Sequence, residues 1–196
     1  MNAKEIRREQ IIDAAAGLFA QRDFGSVQMD EVAAVSEVSK GTLYNHFDSK
    51  EDLYLSILRH RFSRLSDLLE EAYAKRRDGW QNLRSFIIHW QVFMLKHPHF
   101  FLILRKSDAL FLGKQDEQCR KIRDRIRNLL AEVIRGGIRD GSFRRMNVAV
   151  AADLVMGMVE QRVLSLVEQN ITRHDPESVL DVLRRGISAD SAGGEK

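Results

Sequence analysis

Only two prolines, Pro98 and Pro176, stand in this chain of 196 residues, and both sit where a helix would begin. Proline disrupts a helix interior because it lacks an N–H and its ring clashes with the preceding turn. A chain nearly free of it therefore has little to interrupt long helices. Apolar residues recur at helical spacing along most of the sequence. No run rich in Val, Ile and Thr alternates with polar residues as a half-buried strand would. The expected class is all-α, with about nine helices. Hydrophobic residues make up 44%, too many for a disordered chain and enough for a core at this length.

The spacing predicts a first helix over 4–21. Ile11, Ala14, Ala15, Leu18 and Phe19 share its inner face, with Lys4, Arg7, Arg8 and Gln21 towards water. Asp23-Phe24-Gly25-Ser26 ends it. A short helix over 28–35 turns Met29, Val32 and Ala33 inward, and Ser39 is a good N-cap for a third, 39–46. Asp48/Glu51 and Ser49/Asp52 both have capping-box spacing, so a long fourth helix starts there and runs to about 77. Further helices are expected over 80–96, 99–107 with Pro98 suiting its first turn, 115–139, 148–169 and 175–186. Asn147 caps one of these, and Asp175-Pro176-Glu177 starts the last with a cap, a proline and an acid at the positive end of the dipole. Residues 188–196 are small and polar, and read as a flexible tail.

Residues 28–47 suit a helix-turn-helix, in which the second helix enters a major groove. Ala33 lets two helices cross closely, while Val32, Val38 and Leu43 fill the small core between them. Ser39-Lys40-Gly41-Thr42-Leu43-Tyr44-Asn45-His46 then carries hydrogen-bonding groups on one face, with Leu43 and Phe47 on the other. Lys40 and Lys50 suit phosphates, Tyr44 and His46 can donate to phosphate oxygens, and Thr42 and Asn45 suit base edges. Gly41 lets the backbone approach the duplex, and free N–H groups at Ser49-Lys50 offer a phosphate site. The alternative is two packed helices with no DNA role, which leaves Gly41 beside Thr42, Tyr44 and His46 without a reason. The charge is not simply helpful. The chain carries +3 overall, yet residues 1–50 hold six Lys/Arg and eight Asp/Glu, a net of −2. DNA contact there requires basic groups placed locally.

Val38-Ser39-Lys40-Gly41-Thr42-Leu43-Tyr44-Asn45-His46-Phe47-Asp48-Ser49-Lys50-Glu51-Asp52-Leu53 resembles the signature of the TetR family of transcriptional repressors, and Ile11-Ile12-Asp13-Ala14-Ala15-Ala16-Gly17-Leu18-Phe19-Ala20 resembles its first helix. The close resemblance covers roughly residues 8–56. It implies a DNA-binding domain over 1–48 and a helical effector-binding and dimerisation domain over 49–187. It also implies operator contacts at Gln28, Ser39, Lys40, Gly41, Thr42, Tyr44, Asn45, His46 and Lys50. Three departures stand out. Ser36-Glu37 replaces the usual Ala-Gly of the turn, where a left-handed glutamate costs roughly 1 kcal/mol. Asp23 stands where a helix-ending glycine is common, and Val27 replaces a frequent threonine.

Val148 to Val159 is apolar nearly all round, so the helix is expected to be covered on both sides. With the helix over 175–186 it would form a four-helix homodimer interface, with Leu154, Gly157, Met158, Val179 and Leu183 at the contact. A mid-helix glycine costs about 1 kcal/mol against alanine, and a close crossing would explain Gly157. The alternative is a fully buried monomer core. A dimer would set two reading helices about 34 Å apart on a palindromic operator in double-stranded DNA. The middle helices are aromatic: Trp80, Phe86, Trp90, Phe93, Phe100, Phe101 and Phe111. In the resembled family this region encloses an effector pocket, and Trp90, Phe93 and Phe101 would suit a small apolar effector, against the alternative of ordinary core packing.

The arginines and lysines between 120 and 127 alternate with acids and read as a salt-bridged face. His97, His99 and Cys119 lack metal-site spacing, so no metal is expected. Cys119, the lone cysteine, reads as a small helix residue. No catalytic constellation or cofactor motif appears, and the chain reads as a non-enzyme. Without an apolar leader or an ~18-residue apolar span, it reads as cytoplasmic with no membrane partner. The main expectation is a ligand-released repressor. The competing ones are a helical carrier or enzyme with a vestigial DNA-binding domain, and an activator or nucleoid-like binder.

Overall fold

The computed structural model describes residues 3–73, 78–110, 116–169, 171 and 176–187. Among these, nine α-helices follow in order and there is no strand element: α1 Ala3–Gln21, α2 Met29–Val35, α3 Lys40–Tyr44, α4 Lys50–Ala72, α5 Gly79–Lys96, α6 Pro98–Leu110, α7 Glu117–Arg139, α8 Val148–Glu168 and α9 Pro176–Ile187. A single 3₁₀ turn, Phe24–Ser26, stands where the sequence showed only a break. The fourth helix stops at Ala72, short of the expected 77. Asp175, Phe111, Gly113 and the tail 188–196 lie outside the described residues.

The helix starts have local causes. The Ser39 hydroxyl accepts from Thr42 N–H at 3.0 Å, and the Ser49 hydroxyl accepts from Asp52 N–H at 3.0 Å. The Asn147 carboxamide accepts from the N–H groups of Ala149 and Val150 at 3.1 and 3.3 Å. Each satisfies donors that the first helical turn leaves open. At α2 the Glu31 carboxylate reaches back to Gln28 N–H at 2.9 Å.

The chain packs as two compact units, Met1–Arg64 with His97–Ile122, and Leu65–Lys96 with Arg123–Lys196. In the first, α1 packs on α2 and α6. Ile11, Ile12, Phe19, Leu43, Phe47 and Tyr54 are among its buried residues. Phe19 and Phe24 both meet Tyr54 edge-on, at 5.1 and 5.4 Å between ring centres, and the Tyr54 hydroxyl donates to Ile103 O at 3.1 Å. Lys106 of α6 donates to the Phe19, Ala20 and Arg22 carbonyls at 3.4, 2.9 and 3.3 Å. A cation there offsets the negative end of the α1 dipole.

In the second unit α5 packs on α8 and α9, and α8 on α9. Gly79 and Gly137 have a job that the sequence did not disclose. A Cβ on Gly79 would lie 2.4 Å from the Gly137 Cα, and one on Gly137 would lie 2.2 Å from the Phe143 ring. Backbones and an aromatic ring meet at distances only glycine allows. The α7 charges of this unit are paired as expected: Arg125 with Glu70 and Asp67, and Arg127 with Asp153 at 2.6 Å.

Candidate nucleic-acid interface

The turn between α2 and α3 is built by backbone bonds. Ser36 N–H donates to Val32 O at 3.0 Å, Glu37 N–H to Ala34 O at 3.2 Å, and Val38 N–H to Ala33 O at 3.0 Å. Closing it takes one left-handed residue, and that residue is Glu37, with φ of 54°. The left-handed glutamate expected from the sequence is therefore present. Val32, Ala33 and Leu43 are buried and Val38 is half-buried.

This packing decides what α3 shows to solvent. Leu43 and Phe47 are buried against the first unit. Gln28, Ser39, Lys40, Gly41, Tyr44 and Asn45 are exposed, and Thr42, His46 and Lys50 are half-buried. The large Tyr44 side chain is 44% exposed, which a phenol without a partner has little reason to be. Around Gly41 a Cβ would meet only the Ser39 hydroxyl, at 3.8 Å, so its open side is free for a duplex. The Thr42 and Ser39 hydroxyls bond each other at 2.9 Å, which orients the groups nearest the helix start.

The charges are arranged less simply. Lys40 forms an ion pair with Asp30 of α2 at 2.7 Å, and that bond raises the lysine pKa. His46 is held below the ordinary imidazole value, first by burial and then by the nearby positive charges of Lys4, Arg8 and Arg7. The Arg8 guanidinium lies 5.0 Å from the centre of the Phe47 ring.

Lys50 differs most from its expected role. Its ammonium donates to Phe24 O at 2.8 Å, Val27 O at 3.0 Å and Gly25 O at 3.3 Å, and sits 4.6 Å from the Phe24 ring centre. An ammonium has three donors, and all three are taken. Spacing alone could not show this, because the carbonyls lie more than twenty residues back in the chain.

The residues expected at a subunit contact divide by face. On α8, Leu154 is 63% exposed, Gly157 is exposed and Met158 is half-buried. A Cβ on Gly157 would meet nothing within 4 Å. On α9, Val179 and Leu183 are only 5% and 6% exposed, whereas Val182 is 58% exposed. Leu183 belongs to the unit's own core, and Val179, though buried there, also lines the groove between α8 and α9. The outward face is Ser178 and Val182, one position round the helix. An apolar groove of about 580 Å³ runs between α8 and α9, edged by Leu154, Gly157, Met158, Ser178 and Val182.

Trp90 and Phe93 are buried in the second unit, and Phe101 is buried in the first. Beside Trp90, the Gln91 carboxamide is completely buried. Neither of its polar atoms, nor the Trp90 indole nitrogen, has a hydrogen-bond partner among the described residues. The sequence carries no signal for Gln91, because one polar residue in an apolar helix looks like a solvent-facing position. No group of three or more His, Cys, Asp or Glu side chains suited to a metal occurs among the described residues. Among them, no helix is long and apolar enough to cross a membrane.

Residues 11–57 match the family model for bacterial regulatory proteins of the tetR family. Residues 76–163 match that for the tetracyclin repressor-like C-terminal domain. The fatty acid metabolism regulator protein of Bacillus subtilis is 26% identical over 95% of this chain and 98% of its own length. The HTH-type transcriptional repressor KstR2 of Rhodococcus jostii is 27% identical over 73% of this chain and 71% of its own. Among solved structures, the transcriptional regulator FadR from Bacillus subtilis, in complex with stearoyl-CoA, superposes with a TM-score of 0.75 at 23% identity, covering 91% of this chain and 98% of that one.

Proposed function

The chain belongs to the TetR family of bacterial regulatory proteins, whose members are DNA-binding transcriptional regulators, and on that premise we propose that it is a repressor released from its operator by a small, largely apolar effector. The observation that carries the reading is the exposed face of α3. Polar groups at Ser39, Lys40, Thr42, Tyr44 and Asn45 stand out beside an open Gly41, while Leu43 and Phe47 anchor the helix from behind. Gln28, exposed at the start of α2, extends that face. Residues 1–48 are the reading head and 49–187 the effector-binding and dimerising part.

The effector reading is supported by Gln91 and Trp90. A buried donor or acceptor left unpaired costs about 1–3 kcal/mol. Such atoms on α5, the helix that also carries Phe93, suit a ligand with an apolar body and one hydrogen-bonding end. Relatives named for fatty acid metabolism make a long-chain acyl thioester the first probe. The relatives are named as regulators, and we read this chain as a cytoplasmic regulator rather than an enzyme.

The working form in this reading is a homodimer on a palindrome in double-stranded DNA. Its support is the exposed apolar edge of the α8–α9 groove. A second copy would lay Leu154, Met158 and Val182 against their counterparts and close on the open side of Gly157. The test is selection of bound duplexes from a random library, repeated with stearoyl-CoA. A palindromic site lost on addition of the thioester is expected. Failure to enrich any sequence would remove the regulator reading. Enrichment that no apolar ligand disturbs would remove the effector.

A further inference from the structure

We propose that the backbone-neutralising charge of this DNA-binding head comes from the first turns of α1, with Lys4 and Arg7 as contacts to phosphates flanking the half-site, and that Lys50 is a positioning residue committed to the Phe24–Val27 loop. The proposal rests on the DNA-binding reading above and goes on to say which cations act in it.

The starting difficulty is the net charge of −2 over residues 1–50. The fold resolves it by sorting charges to different faces. At 100° per residue, Lys4, Arg7, Arg8 and Ile11 fall on one side of α1, and Glu5, Glu9 and Asp13 on another, about 150° away. The acidic stripe looks towards α4: Glu9 lies 3.4 Å from His60, and Asp13 pairs with Arg61. Two more acids are paired within the head, Glu31 with Arg22 at 2.9 Å and Asp30 with Lys40 at 2.7 Å.

The basic stripe looks towards the reading helix. Its inner end, Ile11, is fully buried. One turn further out, Arg8 stacks on Phe47, three residues beyond the end of α3. Lys4 and Arg7 share that side and are exposed. They also stand near enough to His46 to oppose its protonation, so the cations and the end of the reading face form one patch. A polyanion laid along α3 would meet them.

Lys50 has the opposite circumstances. Three carbonyls and an aromatic ring already hold its ammonium. Reaching a phosphate would give up three charge-assisted bonds for one or two. Its hold on the Phe24–Val27 segment keeps the connection into α2, and so the placement of Gln28.

The test is the dependence of operator affinity on salt. Each lost phosphate contact makes the plot of log affinity against log salt shallower by about 0.9. Lys4→Ala/Arg7→Ala is expected to keep the wild-type melting temperature and base preference, and to lose about two units of slope per protomer. Lys50→Met is expected to melt earlier and keep the wild-type slope. An unchanged slope in the double variant overturns the α1 assignment. A slope shallower by about one unit per protomer in Lys50→Met, in protein still folded by circular dichroism, overturns the reassignment of Lys50. Were the wild type to select no duplex at all, the DNA reading would fall and this proposal with it. Wild-type binding with no change in the double variant removes only the proposal.

Discussion

Glu37 holds a backbone shape that glycine adopts without steric cost. With φ at 54°, its Cβ crowds the following carbonyl, a strain of roughly 1–2 kcal/mol. Glu37→Gly is therefore expected to raise unfolding free energy by about 1 kcal/mol in urea titration. It should also tighten operator binding, because a carboxylate leaves the side that meets phosphates. Two histidines set a pH dependence. His46 and His60 are both held below the usual imidazole value, mainly by burial. The unfolded chain then binds protons that the folded one refuses, so stability is expected to fall as pH drops below about 6.5. Replacing both with asparagine should flatten that decline, as followed by melting temperature between pH 7.5 and 5. At this scale the sequence was informative wherever a residue acts on its immediate neighbours. Ser39, Ser49 and Asn147 cap the helices they were expected to cap, whereas the strained turn residue was identifiable only through the family resemblance, which puts a glycine at that position. It was uninformative for Lys50 and Lys106, whose partners are carbonyls brought near only by folding.

Elements were legible because amphipathic periodicity is a local signal. Leu43 and Phe47 point inward and the polar side of α3 outward, as a repeat of 3.6 requires. How elements meet is a different matter. Gly79, just before the expected fifth helix, and Gly137, inside the seventh, carry no mark of their role in the sequence. Both sit where α5, α7 and Phe143 approach too closely for a side chain. Gly137→Ala should destabilise by about 1–3 kcal/mol through overpacking, although alanine is the better helix former. A neutral or stabilising result in denaturant titration would mean that the contact relaxes freely. The same limit explains α9. Its apolar positions were recognised, but Val179 and Leu183 turn into the unit's own core and Val182 turns out. Periodicity gives the angle between faces and leaves open which face the rest of the chain covers.

For the whole molecule, the proposed homodimer depends on what the α8–α9 groove meets. Leu154→Arg places a charge at the centre of its exposed apolar edge and touches little of the unit's own core. The variant is expected to keep its helical circular dichroism and sediment as a monomer. It should lose operator affinity by at least a hundredfold, since each half-site then binds alone. A variant that still sediments as a dimer would move the subunit contact elsewhere. Sequence alone was enough for the class of fold, the helix order, the caps and the polar face of α3, because all are governed by interactions between residues close in the chain. Tertiary structure alone decided which lysines are free, which face of α9 is bare, why two glycines are needed and which polar atoms are buried at Gln91. Those depend on contacts between distant segments, whose geometry is set by packing and leaves no local pattern to read.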